Sequence, residues 1–332
     1  MNFLLSIARF ILYLYFFLYA LVHLLLLITP ETARYLIFMN YMNWPMRDLQ
    51  NPPKYEQHNV HNFYLDVEPK VRVGVWHFIP APLEYNFSAD SKKNLKEHFE
   101  TYFKVHDKRP VVIYVHGNDR DRSDYGRMKL CQSLAGLGYH VFAIDYRGFG
   151  DSTGTPSETG CVNDVLELYN FVKAIQKESK IFLWGHSLGT GISSHAAKIL
   201  SDFKSPPAGV VLEAPFYNIS QAAKEYIISP LFLNNPWIIR MGDEALQKLN
   251  IHFNNAENIL KTKSKILILH AEDDMLIPQD RSRDLIKICN QKRPQDYPPV
   301  KLVEFHKRFG LGHAKIYTHK ELYPVIKEFI EN

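Results

Sequence analysis

The sequence predicts an α/β protein: a mostly parallel, eight-stranded sheet flanked by helices and preceded by one N-terminal transmembrane helix. Three observations predict it. Of the first 30 residues, 24 are hydrophobic and only Arg9 is charged, whereas the remaining 302 are about 43% hydrophobic, an ordinary globular value. Beyond residue 60, short β-branched runs alternate with longer helical patterns, as in chains built from βα units. The middle runs are apolar on both faces, as strands covered by helices on either side must be.

Residues 1–30 read as a bilayer anchor. Phe10 to Thr29 is a run of 20 residues with His23 as its one strongly polar member. As a helix it spans about 30 Å, the thickness of the hydrocarbon layer. A cleaved signal peptide is the rival reading, but its apolar region is usually about 7–15 residues long and ends at a small-residue site. Here the run is aromatic and ends at Ile28-Thr29-Pro30. Charge does not orient the span, because the amino group and Arg9 on one side balance Arg34 and Arg47 on the other. Residues 31–58, with Pro45 and Pro52-Pro53, read as a connector, and residues 59–332 as the main domain.

In that domain Val60–Val67 and Val71–Phe78 predict a leading antiparallel pair. Six further strands follow at Val111–Val115, Val141–Ile144, Ile181–Trp184, Val210–Leu212, Ile266–Leu269 and Lys301–Phe305. Helical patterns fall at about 123–136, 159–177, 188–202, 279–291 and 321–331. A net charge of +4 over 332 residues, with no dense basic stripe, argues against nucleic acid as a partner. Cys131, Cys161 and Cys289 make no metal or disulfide signature, and no H-E-x-x-H motif occurs, so neither a metal nor a cofactor is expected. Gly148 and Gly150 invite a dinucleotide-loop reading, but Thr153 stands where G-x-G-x-x-G needs its third glycine; a structural turn fits better. Asn86 and Asn218 begin N-glycosylation sequons, which also arise by chance.

In sheets of this kind ligands bind beyond the carboxyl ends of the strands, so the residues there carry the chemistry. After Trp184 comes Gly185-His186-Ser187-Leu188-Gly189. This G-x-S-x-G at a strand-to-helix junction makes a sharp elbow: Gly185 and Gly189 leave room for the turn, and Ser187 is presented as a nucleophile. His186 reads as structural and turned away. After Leu269 comes His270-Ala-Glu272-Asp273-Asp274, where an acid can orient a histidine. Asp274, whose spacing to Pro278 resembles the D-x-x-[VI]-P of many α/β-hydrolases, is favoured over Asp273. After Phe305, His313 in the loop Gly310-Leu-Gly-His313 is favoured over His306 and His319, because that loop can reach across the strand ends. The order Ser, Asp, His is that of the α/β-hydrolase fold. A serine hydroxyl needs an imidazole to take its proton, and the imidazole needs a carboxylate to fix its tautomer. The oxyanion of the tetrahedral intermediate needs N–H donors. Leu188 supplies one, and Asn118, in the loop after Val115, is the expected second, with Asp119 as runner-up.

These segments resemble one family. His116-Gly-Asn118, Asp145-Tyr-Arg-Gly-Phe-Gly-Asp-Ser-Thr-Gly-Thr-Pro-Ser-Glu158, Trp184-Gly-His-Ser-Leu-Gly-Thr-Gly191, Glu213-Ala-Pro-Phe-Tyr-Asn-Ile219 and Leu269-His-Ala-Glu-Asp-Asp274 are similar to the alpha/beta-hydrolase domain-containing protein 12 family. These are membrane-anchored lysophosphatidylserine and monoacylglycerol lipases. The likeness covers about residues 60–330 and implies Ser187, Asp274 and His313 as the triad. It also implies a single-pass anchor in the endoplasmic reticulum membrane with a lumenal catalytic domain. One departure stands out: where the family carries small residues after Asn118, this chain has the charged run Asp119-Arg-Asp-Arg-Ser-Asp124.

Over 50 residues separate Leu212 from Ile266, too many for one crossover, and predict a cap insertion at about 216–262. Its apolar residues Phe232, Leu233 and Trp237 are the expected substrate-binding side chains, suited to an acyl chain. Anchor, triad and apolar cap together predict a serine hydrolase of membrane-borne single-chain lipids. An acyl-protein thioesterase and a non-catalytic binding member of the fold are the alternatives.

Overall fold

The structure, a computed structural model, describes residues 2–42, 48–52, 60–80, 108–225 and 236–332. The strands are β1 (Val60–Glu68), β2 (Val71–Phe78), β3 (Val111–Val115), β4 (His140–Asp145), β5 (Ile181–His186), β6 (Gly209–Glu213), β7 (Lys265–Ala271) and β8 (Val300–Phe305). The helices are α1 (Asn2–Ile28), α2 (Glu31–Ile37), α3 (Tyr125–Gly136), α4 (Glu158–Ile175), α5 (Leu188–Asp202), α6 (Ile219–Glu225), α7 (Pro236–Lys248), α8 (Asn255–Lys261), α9 (Asp280–Lys292) and α10 (Leu322–Glu331). All eight strands join one sheet in the order β1-β2-β4-β3-β5-β6-β7-β8. β2 pairs antiparallel with both β1 and β4, and the other five pairings are parallel.

The inner strands β3 to β6 are buried along their whole lengths. Side chains alternate between the faces of a strand, so one run feeds two cores. Ile113 and Val115 face Val165 of α4, Ile192 of α5, Ile259 of α8 and Leu285 of α9. Val112 and Tyr114 face Leu134 of α3 and Ile326 of α10. The helix starts are written locally. Asp124, Ser157 and Asn254 each accept a backbone N–H of the first turn, at 3.1, 3.1 and 3.2 Å, the usual N-cap arrangement.

Helix α1 is a single apolar rod whose stretch Phe3–Leu21 is long and apolar enough to cross a membrane, and none of that stretch is buried. It packs against α2 and α7. The residues that follow, read as a connector, fold onto the main domain. Ala33 and Phe38 are buried, and the Phe38 ring meets Phe253 at 6.0 Å between centroids. The Asn40 side-chain amide donates to the Gly148 carbonyl at 2.8 Å, and Met39 forms a one-residue parallel bridge with Asp119.

The insertion expected at 216–262 contains α6, α7 and α8. This is the cap insertion: Ile219 and Ala222 of α6 line the pocket at Ser187, while α8 lies on α5 and α9 and extends the helical layer on the sheet. Asn218 sits half-buried at the start of α6, its side-chain oxygen accepting from Gln221 N at 2.9 Å. Asn86 falls outside the described residues. Cys131, Cys161 and Cys289 are free and buried.

Candidate active site

Ser187 follows the last residue of β5 with φ 52° and ψ −118°, a backbone conformation that side-chain-bearing residues avoid. The strain, on the order of 1–3 kcal/mol, persists only where the surroundings hold it. They do so here through both flanks. The Ser187 N–H donates to Glu213 O at 3.0 Å, and Ser187 O accepts from Thr190 N at 2.9 Å. Space forbids any other residue at the elbow's two glycines. A Cβ on Gly185 would lie 2.3 Å from Gly189 O, and one on Gly189 would lie 2.1 Å from Val115 O.

Two strands over, Asp274 and His313 meet. His313 Nδ1 donates to Asp274 Oδ2 at 2.7 Å. Asp274 Oδ1 accepts from Leu276 N at 2.8 Å and Ile277 N at 3.0 Å. A second imidazole was not anticipated: His270 Nε2 lies 3.2 Å from Asp274 Oδ2 and 3.0 Å from Ile277 O. Both neighbours accept, so Nε2 carries the proton, and Nδ1 accepts from Ser282 Oγ at 2.7 Å. Burial works against the Asp274 anion, but hydrogen bonds from His270 and His313 outweigh it and hold the carboxyl well below the usual range. The group is thus an anion at any working pH, which fixes His313 with Nδ1 protonated and Nε2 free to accept.

The competing residues sit elsewhere. Asp273 Oδ2 accepts from Gly312 N at 3.0 Å and so ties down the His313 loop. His306 is exposed and accepts from Arg308 N. His319 is buried against Phe305 and Phe309. His186 does not turn away from the site: its Nε2 donates to His313 O at 2.9 Å, and the two rings lie 5.0 Å apart. Burial and the neighbouring His313 hold the His186 imidazole down to about 3, so it stays neutral.

Opposite the histidine, Gly117 O is engaged by His116 Nδ1 at 2.7 Å, while the Tyr146 hydroxyl donates to His116 O, with Gly117 O farther off at 3.2 Å. Asn118 O accepts from Met39 N at 2.8 Å. The charged run after Asn118 is not a loose, bulky loop. Arg122 is fully buried, with Nη1 2.6 Å from Asp145 Oδ2 and 2.8 Å from Asp151 Oδ1. Its Nη2 donates to Asn62 Oδ1 at 2.9 Å. Arg127 pairs with Asp119 at 2.9 Å, and Arg120 with Asp124 at 2.5 Å.

Ser187, Leu188, Asn118 and His313 line one pocket of about 630 Å³, within the usual range for a small-molecule site. Its apolar walls come from Leu36, Ile37, Met39 and Met42 on one side and Phe216, Ile219, Leu276 and Ile277 on the other. This corrects the expected substrate contacts. Trp237, on α7, is 52% exposed and does not line the pocket, because α7 turns that edge outward. Phe232 and Leu233 lie outside the described residues. Glu213 also lines the pocket, accepts from Trp184 Nε1 at 2.9 Å, and has its carboxyl pushed up to about 7 by burial, against the opposing pull of Trp184 and His313. Its position at the end of β6 was the one available sequence signal. Among the described residues, no cluster of three or more His, Cys, Asp or Glu side chains could hold a metal.

A nucleophile elbow on a doubly covered sheet, with an acid–histidine pair beside it, defines a serine hydrolase of the α/β-hydrolase class. A family model described as Serine aminopeptidase, S33 matches residues 106–234. Lysophosphatidylserine lipase ABHD12 of Xenopus tropicalis is 35% identical over 317 residues, covering 95% of this chain and 80% of that one. Protein ABHD12B of Homo sapiens is 37% identical over 297 residues, covering 89% and 79%. The chain belongs to the ABHD12 family of α/β-hydrolases. An alpha-beta hydrolase of Vibrio vulnificus shares the fold at TM-score 0.63, 16% identity and 88% and 90% coverage. So does the Pyrococcus furiosus esterase Pf2001, at TM-score 0.60, 17% identity and 87% and 96% coverage.

Proposed function

We propose that this chain is a membrane-anchored lipase that cleaves the acyl ester of single-chain glycerolipids, lysophosphatidylserine and monoacylglycerols among them. One observation carries the proposal: Ser187 and the Asp274-bound His313 open onto an apolar pocket walled partly by the residues that directly follow α1. A single acyl chain fits such a pocket, and α1 would bring it to the bilayer where such lipids reside. Residues 1–30 serve as a single-pass anchor. In this reading the anchor sits in the endoplasmic reticulum membrane with the hydrolase domain in the lumen, which the family resemblance supports. Because residues 31–42 pack on the sheet layers, they belong with the catalytic domain of residues 59–332.

The proposed chemistry is that of a Ser-His-Asp hydrolase. His313 Nε2 takes the Ser187 proton as Oγ attacks the ester carbonyl carbon. The C=O electron pair moves to oxygen, where Leu188 N–H and Asn118 N–H stabilise it. Collapse of the intermediate expels the glycerol oxygen, which leaves with the proton from His313, and the acyl group stays on Ser187. Water then gives a proton to His313 and attacks the acyl carbon. Ser187 Oγ leaves, recovers the proton, and a fatty acid is released.

The test is hydrolysis of lysophosphatidylserine, monoacylglycerol and an acylated cysteine peptide in vesicles carrying the full chain. Wild type is expected to cleave the two lipids, and Ser187→Ala to fall by roughly 10⁴-fold or more and to lose fluorophosphonate labelling. Cleavage of the peptide but neither lipid would replace the proposal with a thioesterase.

A further inference from the structure

The segment between α1 and the sheet does more than join them. Met39 N donates to Asn118 O at 2.8 Å, across 79 positions of sequence, in an otherwise isolated parallel bridge between Met39 and Asp119. The peptide units of this loop are therefore gripped from two sides. The Gly117 carbonyl is held by His116 Nδ1, and the peptide unit before it by the Tyr146 hydroxyl, which donates to His116 O. In a trans peptide, C=O and the following N–H point in opposite directions. Holding Gly117 O toward the His116 ring thus aims Asn118 N–H the other way, and holding Asn118 O fixes the adjoining unit. The Met39 end of this bond is itself immobilised by Phe38, fully buried against Phe253, and by the Asn40 amide on Gly148 O.

We infer that Leu36–Met42 is a working part of the active site, in which the Met39 N–H positions the oxyanion loop that carries Asn118. The inference rests on reading Asn118 N–H as an oxyanion donor. It makes Met39 a positioning residue, acting through its backbone, and makes the stretch that leaves the membrane helix a determinant of turnover as well as a pocket wall.

The experiment uses the full chain in detergent and p-nitrophenyl acetate, whose acyl group is too short to lie against Leu36 or Met42. Met39→Pro removes the donor, and Phe38, at φ −99°, ψ 89°, is already outside the α region that a residue before proline avoids. Met39→Leu keeps the donor and the bulk. Expected is a kcat for Met39→Pro about tenfold or more below that of Met39→Leu, with the KM values of the two within about twofold; full loss of an oxyanion donor costs roughly 100–1000-fold. Equal kcat for the two folded variants would overturn the inference, as would a change in KM alone, which marks a wall and nothing else. If Met39→Pro does not fold, Asn40→Ala loosens the same segment from Gly148; a smaller fall in kcat supports the inference, and an unchanged kcat defeats it. Wild-type activity that vanishes in Ser187→Ala secures the hydrolase reading independently, so the two can fail separately.

Discussion

The two loops that face each other across Ser187 are held by different physics. The histidine loop is pinned by three polar contacts: Gly312 N to Asp273, His186 to His313 O, and His313 to Asp274. Gly310 and Gly312 give it left-handed turns, at φ 63° and 53°. The loop after β3, which carries the proposed oxyanion donor Asn118, is fixed by buried charge: Arg122 among Asp145, Asp151 and Asn62, and Arg127 on Asp119. The contrast matches the tasks. An oxyanion donor must already point at the position where charge will develop, and any reorganisation subtracts from its effect. A histidine that takes and returns protons needs a fixed tautomer more than a rigid cage.

The comparison breaks most visibly at Asp274. Asp274→Asn retains an oxygen for Leu276 N and Ile277 N but presents an amide to His313, favouring the wrong tautomer. Steady-state kinetics should show kcat lower by about 10⁴-fold with the melting temperature little changed. A fall of less than tenfold would mean that another acid orients His313. On the opposite loop, Arg122→Met should act on stability first. It leaves the buried Asp145 carboxylate without its ion-pair partner, a loss of roughly 3–5 kcal/mol by denaturant titration. An unchanged midpoint would remove the claim that buried charge braces this loop.

Glu213 lies under both loops and sharpens the comparison through pH. Its carboxyl is raised from 4.5 to about 7. Between those values the folded protein keeps a proton that the unfolded chain has released. The associated stability is fully present below pH 4.5 and is lost as pH rises through 7. Glu213→Gln should remove that slope and gain up to about 3 kcal/mol relative to wild type at pH 8, while thermal melts at pH 4.5 should nearly coincide. The smallest effect is expected at His186→Phe, which deletes one hydrogen bond to the histidine loop. About 1 kcal/mol is at stake, read as a roughly fivefold fall in kcat. Because His186 stays neutral above pH 3 or so, that fall should be the same at pH 6 and pH 9.

The strands, the elbow and the acid–histidine spacing were legible because each is written within a few residues of sequence. The β-branched runs became β3 to β7 with shifts of one or two positions, and Gly185 and Gly189 announced their own steric need. What escaped depends on distant partners. The run Asp119–Asp124 reads as solvated charge until Asp145, Asp151 and Asn62 fold onto it. Leu36–Met42 reads as linker because no periodicity foretells a bridge to Asp119. Trp237 reads as a pocket residue because composition shows that an insertion is apolar and not which way its helix faces.

The link between α1 and α2 is two residues, Thr29 and Pro30. Leu36, on the pocket wall, stands eight positions beyond Ile28, a rise of about 12 Å at helical spacing. With the proposed anchor in place, the pocket mouth cannot leave the headgroup layer, so the enzyme searches a surface instead of a volume. Turnover should then follow the mole fraction of substrate within the bilayer. Mixing inert lipid into the same vesicles should slow it, whereas diluting the vesicles in buffer should not.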